Sequence, residues 1–485
     1  MSRGNRIPLR GSLALLPVLL ACTPSGATTN PAGDRPMHVI DDTSATSAST
    51  NAQVESPLTL LRGAKVMTAT GTTYERGDVL MHNGRIVAVG PKLDTPAGAT
   101  VMNLRGKVVT PGIIDTHSHM GVYASPGLRA HSDGNEAVAP VTAYARAAEG
   151  FWPQDPQIDK ARAGGVTTIQ VLPGSANLIG GRSVTLKLYP DARSVGDMRF
   201  AGAPEGLKMA CGENPKRVYG EKGGPQTRMG NVAGYRAAFQ QALEYKQQHE
   251  QFELQAAMPP SEEDADAPPP LPPPRDYALE TLAKVIDGEI LVHNHCYRAD
   301  EMTLMMGLAK DFGFKIRSFH HAVEAYKIAD RLAAEGTSVS IWADWWGFKA
   351  EAYDGVRENA AIVSAVGGMP IIHSDSPVGI QRLNQEAAKA MYAGREAGIQ
   401  ISENEALRWI TYNAAWALGI HDQTGTLEAG KMADIVVWSA NPFSVYAKAE
   451  QVYIDGKLTY DIANAQAQPR TDFDLGHRDA DWGIQ

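Results

Sequence analysis

Cysteine, positive charge and long apolar runs are all scarce in this sequence. Three of the 485 residues are cysteines. Apart from Cys22 near the N-terminus there are Cys211 and Cys296, which could form one disulfide or remain two free buried thiols. The net charge of −9 is spread along the chain and argues against a nucleic-acid partner, which would require a basic face. The apolar run Leu13–Leu20 is far too short to span a bilayer as a helix.

The N-terminal residues have the pattern of an export signal. A basic stretch precedes the run Leu13–Leu20, and the sequence LLAC that ends at Cys22 resembles a bacterial lipoprotein box. The resemblance implies a signal peptide over residues 1–22, lipidation of Cys22 and, with Thr23 next, anchoring to the outer membrane from the periplasm. Ordinary signal-peptide cleavage nearby is the alternative.

The rest of the chain has the composition of a globular protein, with 43% hydrophobic and 20% charged residues. Residues 23–56 are rich in Thr, Ser, Ala, Pro and Asn, which predicts a disordered tether. Short β patterns fill residues 57–110 and return in 413–485, and Asn83-Gly84 and Asp455-Gly456 predict tight hairpins within them, so the two ends could complete one small sheet domain. Residues 111–412 alternate apolar strands with helical stretches, which is typical of parallel βα units. The seven candidate strands are GIIDTHSH, GVTTIQVLP, GLKMACG, EILVHNH, KIRSFHH, SVSIWAD and PIIHSDS. The acidic, Pro-rich stretch 246–275 predicts a surface insertion.

The segment PGIIDTHSH, which begins at Pro111, is the most informative motif in the chain. Residues two apart in a strand point to the same side, so His117 and His119 are expected to project together from the end of a buried strand. Two neighbouring imidazoles can converge on one metal ion. We therefore predict a metal site here rather than a pair of surface histidines.

Further candidate ligands follow other predicted strands of the central segment. Repeated βα units predict a (β/α)8 TIM-type barrel, in which functional side chains lie at the C-terminal ends of the strands. Imidazoles and a carboxylate at these ends suit a borderline divalent ion such as Zn²⁺. The candidate strand ends carry His117, His119, Lys208, His293, His295, His320, His321 and Asp375.

Two motifs resemble the amidohydrolase superfamily, close to its imidazolonepropionase-like and dipeptidase-like branch. PGIIDTHSH is similar to the first-strand motif of the family. TGTLEAGKMADIVVWSANPF, followed by VYIDGK, is similar to the C-terminal segment with which the family's chain returns to the β-sandwich. The resemblance extends from about Leu58 to Tyr460. It implies a metal-binding (β/α)8 barrel with a small β-sandwich domain formed by both chain ends.

The resemblance also assigns the metal ligands. His117 and His119 match the first-strand ligands, and His293 and His321 match those of the fifth and sixth strands. Asp375 matches the carboxylate of the last strand, which acts as the catalytic residue.

Two histidine doublets leave ambiguities. His295 is expected to point the same way as His293 and is an alternative ligand or a substrate contact. If His321 faces the barrel interior, His320 is expected to face the helices, because neighbours in a strand alternate.

In binuclear members of the family, a lysine of the fourth strand carries a carboxylate derived from CO₂ and bridges two metal ions. Lys208 in GLKMACG is the expected carboxylated lysine, with Lys187 as a rival and a salt-bridged barrel lysine as the simpler interpretation. The expected cofactor is one or two divalent ions, most simply Zn²⁺.

The resemblance implies a hydrolase that cleaves a carbon–nitrogen bond by attack of a metal-bound hydroxide, with Asp375 accepting and returning a proton. A dipeptide or an N-acyl amino acid is the expected small-molecule substrate. The alternatives are a mononuclear hydrolase or deaminase of a cyclic amide and, in another class, an inactive periplasmic binding protein on the same fold. Homo-oligomers are common in the family, and no membrane contact beyond the lipid anchor is expected. Arg217, Tyr219 and Trp345 are the further candidate substrate contacts.

Overall fold

The computed structural model describes residues 55–190, 192–258 and 270–464. The predicted signal peptide with Cys22, and the predicted tether up to residue 54, lie outside the described residues. Within the described part of the chain, no helix has the length and apolar character needed to cross a membrane.

Strands from both ends of the chain form one eight-stranded sheet, as predicted. They are β1 (Thr59–Met67), β2 (Thr73–His82), β3 (Arg85–Gly90), β4 (Thr100–Asn103), β5 (Val108–Pro111), β14 (Ile435–Trp438), β15 (Ala449–Ile454) and β16 (Lys457–Asp461). Their order is β16–β15–β14–β5–β1–β2–β3, with β4 paired to β1. The pairing of β5 with β14 joins the N-terminal and C-terminal parts of this sheet.

Both hairpins that the sequence signals in this sheet are present. Asn83 and Gly84 between β2 and β3 have φ of 47° and 78°. Asp455 and Gly456 between β15 and β16 have φ of 49° and 69°. Two successive positive φ angles are what a two-residue hairpin turn of the primed type requires, and Asn-Gly and Asp-Gly adopt them most readily.

The central segment forms a second sheet of eight strands that curls into a nearly closed barrel. It confirms the predicted α/β barrel class. The strands follow each other in chain order: β6 (Ile113–Ser118), β7 (Val166–Val171), β8 (Ile179–Lys187), β9 (Gly206–Ala210), β10 (Leu291–Cys296), β11 (Ile316–His321), β12 (Ser338–Ile341) and β13 (Pro370–Ile372).

One barrel strand departs from the expected parallel pattern. β8 runs antiparallel to both of its neighbours, β7 and β9. Its sequence IGGRSVTLK is buried throughout, but two glycines and two basic residues interrupt the apolar run that predicted the other seven strands.

Helices cover the outside of the barrel and fill the connections between strands. They are α1 (Ala147–Gly150), α2 (Pro156–Ala163), α3 (Val195–Met198), α4 (Glu213–Tyr219), α5 (Arg228–Ala257), α6 (Tyr277–Ile286), α7 (Ala299–Asp311), α8 (Ala329–Glu335), α9 (Asn359–Ala365), α10 (Leu383–Glu396), α11 (Glu403–Trp409) and α12 (Tyr412–Ala417). Within residues 55–190, 192–258 and 270–464, four 3₁₀ turns occur at Arg129–His131, Ala325–Ile328, Ala350–Ala352 and Gly379–Arg382.

The predicted insertion 246–275 begins inside a helix and not in a loop. α5 continues to Ala257, because the residues before the first proline of this stretch are mostly good helix formers such as Gln, Glu, Leu and Ala. Its acidic, Pro-rich centre, residues 259–269, lies outside the described residues.

Lys187 connects the barrel to the other sheet. Its Nζ atom lies 3.1 Å from Asp434 Oδ1 and 2.5 Å from Asp455 Oδ1, and all three side chains are buried. Tyr189 also donates its hydroxyl hydrogen to Asp455. Lys187 is therefore held in a buried ion-pair cluster. These partners argue against Lys187 as the alternative to Lys208 for the carboxylated lysine.

Candidate metal centre

The first barrel strand presents two imidazoles side by side, as its spacing predicts. At the end of β6, the Nε2 atoms of His117 and His119 are 3.2 Å apart. The Nδ1–H group of His119 donates to the backbone oxygen of Leu172 at 2.8 Å. Such a hydrogen bond fixes the tautomer of a ligand histidine and leaves Nε2 to face the metal.

Asp375, which follows the last barrel strand, places its carboxylate next to these two imidazoles. Its Oδ1 atom lies 3.3 Å from Nε2 of His119 and 3.6 Å from Nε2 of His117. Burial alone would raise the pKa of Asp375, but its hydrogen bond with His119 holds the pKa below its ordinary value. The carboxylate is therefore ionised at neutral pH.

Lys208 lies beside this group. Its Nζ atom is 3.3 Å from Nε2 of His117, and its position on β9 pairs with His293 on β10. Burial lowers the pKa of Lys208 to about 7. A substantial fraction of these amines is therefore neutral at physiological pH, and the neutral form does not repel a cation.

The last strand supplies an imidazole that the sequence reasoning missed. Nε2 of His373 lies 3.0 Å from Nδ1 of His321, and these two form with His117 a group of three buried side chains that could hold an ion. His117, His119 and Asp375 form a second such group. His373 stands two residues before Asp375, the same spacing that joins His117 and His119, so the alternation rule could have identified it.

The predicted orientation of His320 is wrong. Its Nδ1 atom lies 2.8 Å from Nδ1 of His117, and its Nε2 atom lies 2.9 Å from Nδ1 of His293, so the ring points into the barrel. The alternation ends here because His321 and Ala322 have φ of 69° and 23°, outside the extended region. Both members of the doublet therefore reach the interior.

The two histidines of β10 occupy different surroundings. His293 contacts His320, and its Nε2 atom has no hydrogen-bond partner among the described residues. His295 places Nε2 at 3.3 Å from Nδ2 of Asn214, and its ring centroid is 4.6 Å from that of His321. Burial lowers the pKa of His293 to about 3, so this imidazole is neutral. Neither residue belongs to the two groups of three, and the preference for His293 as ligand stays a prediction.

A stack of aromatic rings leads from this cluster to the surface. Trp342 stacks on His321 with ring centroids 4.3 Å apart, and Trp345, 42% exposed, stacks on Trp342 at 5.3 Å. The predicted substrate contact Trp345 therefore lies at the mouth of the site. Of the two candidates on α4, Arg217 is exposed and Tyr219 is buried.

The donor set fits a divalent metal ion. Imidazole nitrogens and carboxylate oxygens converge, and the buried Nε2 of His293, Nδ1 of His295 and Nδ1 of His373 lack hydrogen-bond partners among the described residues. Burial lowers the pKa of His373 to about 4, so it too presents a neutral ring. Neutral imidazole with an ionised carboxylate is the combination that binds Zn²⁺ and similar ions.

Comparison with solved structures identifies the family. An amidohydrolase from Thermotoga maritima MSB8 is 35% identical, with a TM-score of 0.75, and the match covers 83% of this chain and all of that one. The chain belongs to the amidohydrolase superfamily. The sequence model of the Amidohydrolase family also matches residues 368–460, which contain Asp375 and the C-terminal strands.

Curated relatives agree with this assignment. Amidohydrolase tasK of Hapsidospora irregularis is 35% identical over 82% of this chain, although the matched region spans only 41% of that protein. Imidazolonepropionase of Mesorhizobium japonicum is 26% identical over 78% of this chain and 89% of its own length. As a member of this superfamily, the amidohydrolase is a metal-dependent hydrolase that acts on carbon–nitrogen bonds.

Proposed function

We propose that this amidohydrolase cleaves the amide bond of a dipeptide or an N-acyl amino acid. The observation that carries the proposal is the convergence of His117, His119 and Asp375, whose donor atoms lie 3.2 to 3.6 Å apart at the C-terminal ends of the first and last barrel strands. In an α/β barrel the catalytic residues lie at this end of the strands.

His117, His119 and Asp375 are the residues that would hold a first ion, and His321 and His373 lie on the other side of His117. When bound, a divalent ion lowers the pKa of a water molecule and polarises the carbonyl group of the substrate.

Lys208 is proposed as the carboxylated lysine of a two-ion site. A neutral amine is the form that reacts with CO₂, and burial brings the pKa of Lys208 to about 7. The product is a carboxylate with two oxygen atoms next to His117, which is the chemistry needed to bridge two cations.

Asp375 is proposed to move the proton of the reaction. Its carboxylate is ionised, and its Oδ1 atom reaches both first-strand imidazoles. It is therefore positioned to take a proton from the attacking water and to return that proton to the departing nitrogen.

The experiment that tests this function is metal analysis combined with a substrate panel. Protein purified without chelator is analysed for metal by elemental mass spectrometry and assayed on dipeptides, N-acyl amino acids and cyclic amides. About two ions per chain with dipeptide or N-acyl amino acid hydrolysis supports the proposal. About one ion with cyclic-amide activity supports the mononuclear alternative. No ion retained or taken up, and no hydrolysis, supports the inactive binding protein.

A matched pair of variants makes the metal analysis specific. His117→Ala removes the residue common to both groups of three and is expected to lower the metal content. His82→Ala removes an exposed imidazole on β2 and is expected to leave it unchanged. Equal metal content in both variants would mean that the ion is not held at this cluster.

We also propose that the protein is exported and anchored to the outer membrane through Cys22. The LLAC sequence supports this proposal, and so does the disulfide between Cys211 and Cys296, because such bonds persist in oxidising compartments. In a bacterial host, wild-type protein is expected to incorporate labelled palmitate and to fractionate with the outer membrane, whereas Cys22→Ser is unlabelled. Unlabelled wild-type protein in the cytoplasmic fraction would contradict the proposal.

A further inference from the structure

We propose that Lys349, together with the aromatic side chains beside it, forms a subsite for the free α-carboxylate and the bulky apolar side chain of an amino acid. The inference rests on the proposed function and deepens it. It specifies the half of the substrate that leaves with the nitrogen atom.

Lys349 lies one aromatic ring away from the histidine cluster. Its Nζ atom is 4.1 Å from the ring centroid of Tyr297. The ring of Tyr297 stacks in turn on His321, with centroids 5.4 Å apart and an angle of 19° between the planes. A cation above an aromatic face is favourable in itself, so Tyr297 both holds the ammonium group and separates it from the metal ligands.

Asn214 connects the same lysine to the second histidine of β10. Its Oδ1 atom accepts a hydrogen bond from Nζ of Lys349 at 3.2 Å. Its Nδ2 atom lies 3.3 Å from Nε2 of His295, and the opposite ring nitrogen of His295 has no partner among the described residues. The ammonium group is therefore fixed at the edge of the cluster, although its residue lies on a loop after β12.

The carboxylates around Lys349 leave its charge incompletely neutralised. Glu351 and Glu213 each approach Nζ only to 3.7 Å, which is longer than a charge-assisted hydrogen bond. Arg228 forms a much closer ion pair with the other carboxylate oxygen of Glu351. Burial lowers the pKa of Lys349, so its ammonium form carries a desolvation cost that a directly bound carboxylate would offset.

Next to Lys349, aromatic side chains are left open to solvent. Phe348 is 56% exposed, and its ring lies 5.7 Å from that of Trp342 and 6.4 Å from that of Tyr297. Trp345 adds a second exposed ring, which stacks on Trp342 with centroids 5.3 Å apart. A bulky apolar side chain bound here would remove this surface from water.

The dimensions suit an amino acid bound by its carboxylate. Three covalent bonds of about 1.3 to 1.5 Å each, C–N, N–Cα and Cα–C, separate the scissile carbonyl carbon from the carboxyl carbon of the amino acid that leaves. Asn214 contacts both Nζ of Lys349, at 3.2 Å, and Nε2 of His295, at 3.3 Å, so a carboxylate bound to Lys349 lies beside the histidine cluster at which the scissile carbonyl group would be held.

The test compares two compounds that differ only in the carboxylate. N-acetyl-L-phenylalanine carries it, and N-acetyl-L-phenylalaninol has a neutral CH₂OH group in its place. The metal-loaded wild type is expected to prefer the acid by roughly 10- to 100-fold in kcat/KM, mainly through KM. Lys349→Met is expected to lose this preference, and Lys349→Arg to keep most of it. Lys310→Met, an exposed lysine on α7, serves as the control and is expected to behave as wild type.

A binding measurement separates this inference from the proposed function. The same two compounds are titrated into wild type and Lys349→Met while tryptophan fluorescence is followed, since Trp342 and Trp345 line the subsite. Tighter binding of the acid by wild type alone supports the subsite even if neither compound is hydrolysed, in which case only the proposed reaction fails. Equal affinity or equal kcat/KM for the two compounds in wild type overturns the subsite, and so does an unchanged preference in Lys349→Met.

Discussion

The carboxylate of Asp115, on the first barrel strand, accepts two hydrogen bonds from Ser374, which follows the last strand. The backbone N–H of Ser374 donates to Oδ1 at 3.1 Å, and its hydroxyl donates to Oδ2. Oδ1 also accepts the backbone N–H of His117 at 3.1 Å. β6 and β13 are the two ends of the barrel sheet, so these bonds join its seam. They also set Asp375 against His117 and His119.

Ser374→Ala is expected to weaken both the fold and the site. The variant leaves the buried Asp115 with one hydrogen bond fewer, which costs about 1 to 3 kcal/mol of unfolding free energy. Because the seam positions Asp375, kcat and metal content are also expected to fall. Denaturant unfolding and elemental analysis measure both effects. Ser444→Ala, which removes only a long local hydrogen bond to the backbone of Tyr446, is the control, and equal stability of the two variants would contradict the role of the seam.

Lys208 and Lys187 are both buried but are expected to respond oppositely to substitution by methionine. Lys208→Met is expected to abolish hydrolysis while leaving stability unchanged or higher, because burial already disfavours the charged form of this side chain. Lys187→Met leaves Asp434 and Asp455 buried without their cation and is expected to cost about 3 to 5 kcal/mol. Chemical unfolding and activity assays on the same samples distinguish the two roles. A large loss of stability in Lys208→Met would contradict its assignment to the site.

Many strands, the hairpins and the first pair of site histidines could be predicted from local sequence patterns. The period of two in a strand placed His117 next to His119, and Asn83-Gly84 predicted a hairpin that the structure contains. Apolar runs separated by helical stretches gave seven of the eight barrel strands. These features depend on a few neighbouring residues, so they can be read directly from the sequence.

The features that could not be predicted depend on backbone geometry or on distant partners. The positive φ of His321, which ends the alternation so that both histidines of the doublet reach the barrel interior, leaves no pattern in the sequence. The contact of Lys349 with Tyr297 joins two loops that follow different strands. Sequence spacing likewise left open whether Cys211 is bonded, because pairing depends on which strand ends become neighbours.

The Cys211–Cys296 disulfide ties the end of β9 to the end of β10, with a Cα–Cα distance of 5.3 Å. It closes a chain segment with a sequence separation of 85 residues, so its removal is expected to cost about 2 to 4 kcal/mol. Unfolding of the wild type with and without reductant measures this effect. The double variant Cys211→Ser, Cys296→Ser controls for other actions of the reductant and is expected to be insensitive to it. Identical unfolding of oxidised and reduced wild type would mean that the bond contributes no stability.

Asp375→Asn tests the proton transfer directly. The amide keeps the shape of the carboxylate but cannot accept a proton, so kcat is expected to fall by at least about 100-fold while the fold is retained. Asp344→Asn, which changes a partly exposed carboxylate paired with Lys389 at 2.8 and 2.9 Å, is the matched control and is expected to keep its turnover. Metal analysis of the same samples separates two causes. Loss of turnover with the metal retained assigns Asp375 to proton transfer, whereas loss of both assigns it to metal binding. Turnover near that of the wild type would mean that another group accepts the proton.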